Sequence, residues 1–420
     1  MRLMQFVLTP SGTGEAVIAL SLAEQLKPMG FEHHFVILPG MEGMFRTAGH
    51  PCTVLRPEMG PAVRDVIHEA VVTHRPDAFV LTDYFTFWVV LEKNFGIDPW
   101  FVKDYGVPLL PVDTWEWRQT DFAMDMTPED IRPVSKEIIG MPAHLRPVPL
   151  TRPRADHEAG EFPFRLRVGA DRPSAAGRRA VRDELGIRGG DRLLFLPASA
   201  WQQRPVRNKD PRVLTIAAEV PNLVTHYLRQ LPESTRFLVV GDVPPALRSL
   251  PPDRTHILPV CPPERYSQLL CASDAVLAMT FQAVTLIRAM YAGIPGMVLT
   301  NKYTIAGTRD AEQAGAEFGG LTPAVRQWLA KVGDIYRFRL WPLSMYSLME
   351  PVLQDNPYLA AVAHSELLDE RGVVDGLAGL LNDRAARDRL AEGRAGYLAE
   401  VDSLADTPEV VSAALRMASG

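Results

Sequence analysis

Three acids in the first third of the chain stand where short apolar runs give way to helix-like or aromatic stretches. Glu15 follows Gly12, Thr13 and Gly14 in "TPSGTGEA", Asp83 ends "VLTD" ahead of Tyr84, and Asp113 ends "PVD" ahead of Trp115 and Trp117. Carboxylates gathered at one edge of a sheet can accept a proton, orient hydroxyls or hold an amine. Each also has an ordinary structural use, as a charge well placed at a helix start, as a cap or as a turn residue. Tyr84, Trp115 and Trp117 offer flat faces on which a sugar or a ring-bearing acceptor can stack.

The second half supplies cations instead. "LPASAWQQRPVRNKD" brings Ser199, Trp201, Arg204, Arg207 and Lys209 into one loop after a strand-like run. Guanidinium forks match phosphate oxygens, so this loop suits a diphosphate; it suits a solvated basic surface equally well. Gly241 in "VVGDVP" marks another strand end. Val260, Cys261 and Pro262 in "PVCPPERYSQLL" put backbone groups at a third, an edge able to receive a base. "FQAVTLIRAMYAGIP", from Phe281 to Pro295, carries Thr285 and Arg288. Arg288 either faces a phosphate or lies on the outer side of its helix, paired with an acid.

Positioning these groups falls to two runs of alternating strands and helices. "LMQFVLT", "FEHHFVIL", "DAFVLTD" and "VPLLPVD" read as strands. "GEAVIALSLAEQLKPMG" reads as an amphipathic helix closed by glycine, and "GPAVRDVIHEAVVTHRP" as one closed by proline. Near-continuous apolar strands separated by helices predict a parallel sheet covered on both faces. "MPAHLRPVPLTRPRADHEAGEFPF", rich in proline and charge, reads as a connector. The alternation then restarts with "DRLLFLPAS", "RFLVVGD", "THILPV", "DAVLAM" and "GMVLT". The expected fold class is α/β: two doubly wound, Rossmann-like parallel-sheet domains facing across a cleft. Ligands of such sheets bind beyond the carboxyl ends of the strands.

The expected boundaries are 1–165, 166–400 and a C-terminal helix over 401–420 that packs back on the first domain. The aromatics of "IYRFRLWPLSMYSLMEPVLQDNPY" read as packing at the domain interface, with acceptor binding as the lesser alternative.

Size and composition narrow the classes. The 420 residues are 47% hydrophobic and 22% charged, as for a water-soluble chain of two domains. A net charge of -6, without a dense basic run, gives no case for nucleic acid. Three widely spaced cysteines, Cys52, Cys261 and Cys271, form neither a disulfide framework nor a zinc pattern, which predicts a reducing cytoplasm. "MRLMQFVLTP" lacks the regions of a signal peptide, and no apolar run approaches the ~20 residues of a membrane span. The excess of Arg over Lys, with abundant Ala, Pro and Gly, is the mark of a GC-rich, bacterial genome.

Over residues 1 to roughly 300 the order of elements resembles the GT-B superfamily of nucleotide-sugar glycosyltransferases. "GTGEAVIALSLAEQL" is similar to the first loop and helix of inverting members, which often run Gly-His before a Leu/Ala-rich helix. "YSQLLCASDAVLAMTFQAVTLIRAMYAGIPGMVLTN" resembles the donor-side segment, with its aspartate-led strand and a helix ending Ala-x-Gly-x-Pro. Two departures stand out. Glu15 occupies the place of the inverting members' histidine. Thr280 and Arg288 occupy those of the retaining members' two glutamates. In the inverting branch that transfers N-acetylglucosamine, the helix glutamate meets the ribose; Arg288 cannot accept that hydrogen bond, though a cation suits a diphosphate. Thr285 does match that branch.

The resemblance implies transfer of a sugar from a nucleoside diphosphate to a small acceptor, as in bacterial specialised metabolism, with inversion and without a metal or further cofactor. The first domain would take the acceptor, with Glu15 as base, Asp83 or Asp113 in support, and Tyr84, Trp115 and Trp117 against the acceptor. Donor contacts would come from Gly12, Thr13, Gly14, Ser199, Trp201, Arg204 and Gly241. Val260, Cys261, Pro262, Thr280, Phe281, Gln282, Thr285 and Arg288 would complete them. No membrane or nucleic-acid partner is expected, and a homodimer stays open. Two alternatives keep the fold. "GTGEA" also resembles the opening of nucleotide-sugar 2-epimerases, although their glutamate-bearing donor loop has no counterpart here. Loss of the histidine and both glutamates would equally mark a catalytically silent auxiliary protein.

Overall fold

The structure, a computed structural model, describes residues 1–9, 13–114, 116, 123–125, 131–133, 135–168, 174–198, 211–279, 281, 283–303, 305, 307–332, 353 and 356–420. Two compact units divide the chain. One comprises Met1–Phe122, Val134–Val168 and Ala399–Gly420; the other comprises Ala123–Pro133 and Gly169–Leu398.

The first unit is built on five parallel strands: β1 (Arg2–Val7), β2 (Glu32–Ile37), β3 (Cys52–Val54), β4 (Ala78–Leu81) and β5 (Leu109–Pro111), in the order β3-β2-β1-β4-β5. After its first residue β1 is buried throughout, and so are all four residues of β4, the signature of strands covered on both faces. Helix α1 (Gly14–Leu26) joins β1 to β2 and runs into a 3-10 turn that Gly30 closes with φ 73°. Helix α2 (Glu42–Thr47) joins β2 to β3, and α3 (Val63–His74) joins β3 to β4. Val63, Ile67, Ala70 and Val71 form the buried stripe of α3. The short helix α4 (Tyr84–Val89) follows β4.

The proline-rich stretch expected to be a connector is instead structured within this unit. An antiparallel pair, β6 (Ala123–Asp125) and β7 (Ile131–Pro133), counted with the second unit, precedes it; the stretch itself holds β8 (His144–Val148) and most of β9 (Glu161–Arg165), which pair in parallel. Leu145, Val148, Phe162 and Phe164 are fully buried or nearly so. Burial of each contributes roughly 1.5–3 kcal/mol, which outweighs the weak strand signal of a segment carrying Pro147 and Pro163. The C-terminal helix Thr407–Ser419 packs on α1 and β9 through Val410, Val411, Ala414 and Leu415. At its start Thr407 Oγ1 donates to Gln25 Oε1 at 2.8 Å, and Asp406 pairs with Arg165.

The second unit repeats the plan with six parallel strands: β10 (Arg192–Ala198), β11 (Thr235–Gly241), β12 (Thr255–Leu258), β13 (Ala275–Ala278), β14 (Gly296–Thr300) and β15 (Ala363–Glu366). Their order is β12-β11-β10-β13-β14-β15. Leu194, Leu196, Phe237, Val239, Leu277 and Leu299 meet helix side chains such as Tyr227 and Leu377 in one core. Both sheets reverse their strand order once, between β1 and β4 and between β10 and β13. Each reversal leaves a crevice beyond the strand ends.

Candidate functional site

At the reversal in the first unit, β1 and β4 lie side by side with Phe6 opposite Leu81. Helix α1 begins at Gly14, shortly after β1 in the chain, which places Glu15 in the first turn of that helix. Chain leaving β4 reaches Asp83 and enters α4. Asp83 is the cap of α4: its Oδ1 accepts the N–H of Phe85 at 3.1 Å and of Thr86 at 3.3 Å. Glu15 and Asp83 thus come from adjacent strand ends.

Their surroundings are dry. Asp83 is buried, and Glu15 Oε2 is buried with no hydrogen-bond partner. Burial raises the Glu15 carboxyl above its ordinary range, against the hydrogen bonds of its own backbone N–H and the Thr9 hydroxyl. Burial first, and then the charge of Glu15, push Asp83 up to about 7, although the N–H groups of Thr86 and Phe85 favour its charged form. Two carboxylates out of water resist ionising together, so the pair is coupled and both groups keep their protons to higher pH than usual. Such a pair can take a proton from an incoming nucleophile or return one.

Asp113 follows β5, the next strand, and is buried; its backbone N–H donates to the Leu145 carbonyl at 2.7 Å. Tyr84 is fully buried and lies perpendicular to His144 with ring centroids 6.2 Å apart, so neither ring face is open. Beyond Asp113 lies a feature the sequence reading missed. Buried Glu116, at φ 54°, accepts from Arg152 N at 2.6 Å and Arg152 Nε at 2.8 Å. Arg146, also buried, lies 3.4 Å from Glu116 and 3.3 Å from Glu161. The only sequence signal was the arginines themselves, in a stretch whose prolines suggested a connector.

In the second unit the helix Val284–Tyr291 follows β13 at the reversal, and the helix Pro263–Ala272 packs beside it. Tyr266 on the latter meets two residues of the former. Its hydroxyl lies 2.6 Å from Thr285 Oγ1, and the guanidinium of Arg288 sits over its ring, 5.7 Å from the centroid. Arg288 Nε is buried without a hydrogen-bond partner, and among the described residues no acid pairs with the guanidinium. The guanidinium is half-buried against Tyr266, and burial lowers its pKa, yet a guanidinium stays charged, so this cation meets no acid among the described residues. Burial also pushes Tyr266 up to about 12, against its bond to Thr285 and the nearby cation.

The other expected donor residues are placed as follows. Gly241 ends β11 at φ 124°, where a Cβ would lie 2.0 Å from the Ala198 carbonyl oxygen, so close strand packing requires the glycine. Val260 is 71% exposed, Cys261 is a half-buried free thiol, and Pro262 precedes the helix Pro263–Ala272. Phe281 is buried, and its carbonyl accepts from Tyr358 Oη at 3.0 Å. Thr13 is exposed ahead of α1, and Gly14 is its first residue. Gly12, Trp115, Trp117, Ser199, Trp201, Arg204, Thr280 and Gln282 lie outside the described residues. Among the described residues no group of three His, Cys, Asp or Glu side chains is placed to hold a metal ion, and no helix is long and apolar enough to cross a membrane.

A family model described as a family of unknown function, DUF6365, matches residues 22–420. The chain belongs to DUF6365. No curated protein matches it in sequence. Solved structures similar to this DUF6365 chain include Anabaena HepE in complex with UDP and glucose, at 11% identity and TM-score 0.57, covering 98% of this chain and 97% of that one. The spinosyn forosaminyltransferase SpnP is 13% identical over 100% of both chains, with TM-score 0.53. The spinosyn rhamnosyltransferase SpnG is 14% identical over 99% of this chain and 100% of its own, with TM-score 0.52. These likenesses establish the fold of the DUF6365 chain as GT-B, with two Rossmann-like parallel sheets.

Proposed function

We propose that this chain is a glycosyltransferase that moves a sugar from a nucleoside diphosphate to a small-molecule acceptor with inversion. The observation that carries this reading is the Glu15–Asp83 pair at the β1/β4 reversal, two coupled carboxyls that burial raises above their ordinary range. The acceptor's O–H, N–H or S–H gives its proton to the Glu15 carboxylate while the heavy atom attacks the anomeric carbon. The bond from that carbon to the diphosphate oxygen breaks, and its electron pair leaves with the diphosphate. In this reading Asp83, raised by burial and by the Glu15 charge, carries a proton while Glu15 is the carboxylate that accepts. Asp113 lies one strand further along as a positioning group.

The leaving diphosphate gains negative charge as the bond breaks, and a preorganised cation stabilises it most in a dry setting. Arg288 is such a cation, partly desolvated and with no acid among the described residues to neutralise it. In this reading the first unit takes the acceptor and the second the donor. UDP in HepE and thymidine diphosphate in an SpnG complex support a nucleoside diphosphate as the ligand class. The spinosyn enzymes support an acceptor from specialised metabolism.

Thermal shift against UDP-, GDP- and dTDP-sugars, followed by mass spectrometry, tests the reading. A shift with one donor, and release of free nucleoside diphosphate when an acceptor is present, is the expected result. An isomerised nucleotide sugar formed without acceptor would replace transfer by epimerisation, and no shift with any donor would leave a silent auxiliary protein. Glu15→Gln should lower turnover with donor affinity near that of the parent; unchanged turnover removes Glu15 from the chemistry.

A further inference from the structure

Strand β2 carries His33 and His34 side by side, and successive residues of a strand point to opposite faces of its sheet. Both residues are buried, at 7% exposure. Each ring bonds across to a different neighbouring strand. His33 Nδ1 lies 2.9 Å from the Gln5 amide nitrogen of β1, and His34 Nε2 lies 2.8 Å from Thr53 Oγ1 of β3. Two imidazoles thus clip β2 to both its partners, one on each face. The other nitrogen of each ring, His33 Nε2 and His34 Nδ1, is shut away from water and has no hydrogen-bond partner.

A second histidine backs each ring. His50 stands perpendicular to His33 with centroids 6.1 Å apart, and His74, at the end of α3, stacks on His34 at 3.7 Å. Other charges surround them on every element. The N-terminal amino group acts on His33, while Glu24 of α1 and Lys27 of the turn after it act on His50. Glu32 precedes the pair on β2, Arg75 follows His74, and Asp77 accepts the Arg2 backbone N–H at 2.7 Å. Arg46 and Glu42 of α2 act on Cys52 of β3. Among the described residues no carboxylate bonds to any of these four rings.

We propose that His33 and His34 form an acid-sensitive latch: while neutral they hold β2 between β1 and β3, and on taking protons they release it. An imidazolium carries N–H on both nitrogens and accepts at neither. Protonated His33 sets its Nδ1–H against the Gln5 N–H; turning that amide supplies an acceptor there and still leaves Nε2–H unmet. Protonated His34 buries an unmet N–H at Nδ1 and a charge against His74. A buried donor left unmet costs its full desolvation, and more when it is charged. Burial first, and then His50 for His33 and His74 for His34, keep both rings neutral down to about 4, against an ordinary 6.5. Between those values the opened strand binds protons that the closed one does not. Closure therefore weakens as pH falls through this window and levels off below it. At pH 5 the difference favours opening by about thirtyfold for each ring. The latch is independent of the proposed transferase reaction.

Hydrogen exchange at pH 7 and pH 5, corrected for the intrinsic exchange rate, reads the latch strand by strand. The expected result is that β2 and β3 lose about thirtyfold in protection or more, while β10 and β11 keep theirs. His33→Asn with His34→Gln keeps an amide at each bonding position and cannot take a proton. Its β2 protection should change by no more than about threefold between the two pH values. Where that variant does not fold, histidine-selective 15N NMR of the parent at pH 5 decides, and the closed form should show both rings neutral. Unchanged protection of β2 at pH 5, the same loss in the double variant, or imidazolium signals from both rings with β2 still protected each overturns the proposal.

Discussion

Arg288 and Tyr266 stack across two helices, guanidinium over phenol ring at 5.7 Å, and among the described residues no acid joins them. The ring holds the cation by its electron-rich face, a contact worth ~0.5–2 kcal/mol, but supplies no negative charge. Tyr266 is fixed in turn by its hydroxyl bond to Thr285, one helical turn before Arg288. The arrangement orients a desolvated cation and leaves its charge available.

The first prediction follows from that imbalance. Arg288→Met keeps most of the packing volume and removes a buried charge that no described acid compensates. Nucleoside diphosphate affinity should fall by roughly tenfold to a hundredfold, the worth of a lost charge-assisted hydrogen bond of ~1.5–3 kcal/mol. The melting temperature of the free protein should stay level or rise. Calorimetry with UDP beside a thermal melt checks both; a lower melting temperature with unchanged affinity would return Arg288 to a purely structural role.

The carboxyl pair gives stability a pH signature. Asp83 carries a folded pKa near 7 against an ordinary value of 3.8, so between those values the folded chain binds the proton and the unfolded chain does not. Stability therefore falls as pH rises through this window, the reverse of an ordinary salt-bridged aspartate. Asp83→Asn keeps an oxygen to cap α4 and removes the charge. Its melting temperature should exceed the parent's at pH 8 and converge with it near pH 4. Parallel curves across that range would show that Asp83 is not held protonated.

Much of this was legible in the sequence where burial and local order coincide. Apolar runs such as Ala78–Leu81 and Thr235–Gly241 could only be strands covered on both faces, and the acids at their ends inherit the sheet's edge. Pairings distant in sequence were not legible. Nothing local to Arg288 names Tyr266, and nothing local to Arg146 names Glu116, because each partner arrives on a different element. The strands β8 and β9 were hidden by prolines, which weaken a strand's signal without preventing a parallel pair from burying Leu145 and Phe162. β15, "AHSE", has too little apolar character to be seen without β14 beside it.

Gly241 offers a test of the second sheet. Its φ of 124° and the 2.0 Å approach of the Ala198 oxygen to a would-be Cβ leave no room for a side chain. Gly241→Ala should destabilise the chain by more than ~1 kcal/mol, from the backbone strain alone. Urea denaturation measures the loss. A variant as stable as the parent would mean that β10 and β11 do not close on each other as described.

Arg146 binds the loop beyond Asp113 to the strand pair behind it. It is 2% exposed and lies between Glu116, equally buried, and Glu161. Removing one charge from a buried cluster costs up to ~3–5 kcal/mol, less here because Arg152 still meets Glu116, whereas replacing Arg146, Glu116 and Arg152 together by neutral residues costs far less. Arg146→Met should therefore be destabilising, and adding Glu116→Gln with Arg152→Met should recover most of the loss. Urea denaturation of the single and triple variants at neutral pH separates the two effects. Equal stability of both variants would locate the role of Arg146 in its packing, and its charge would then have no part in holding the Asp113 loop.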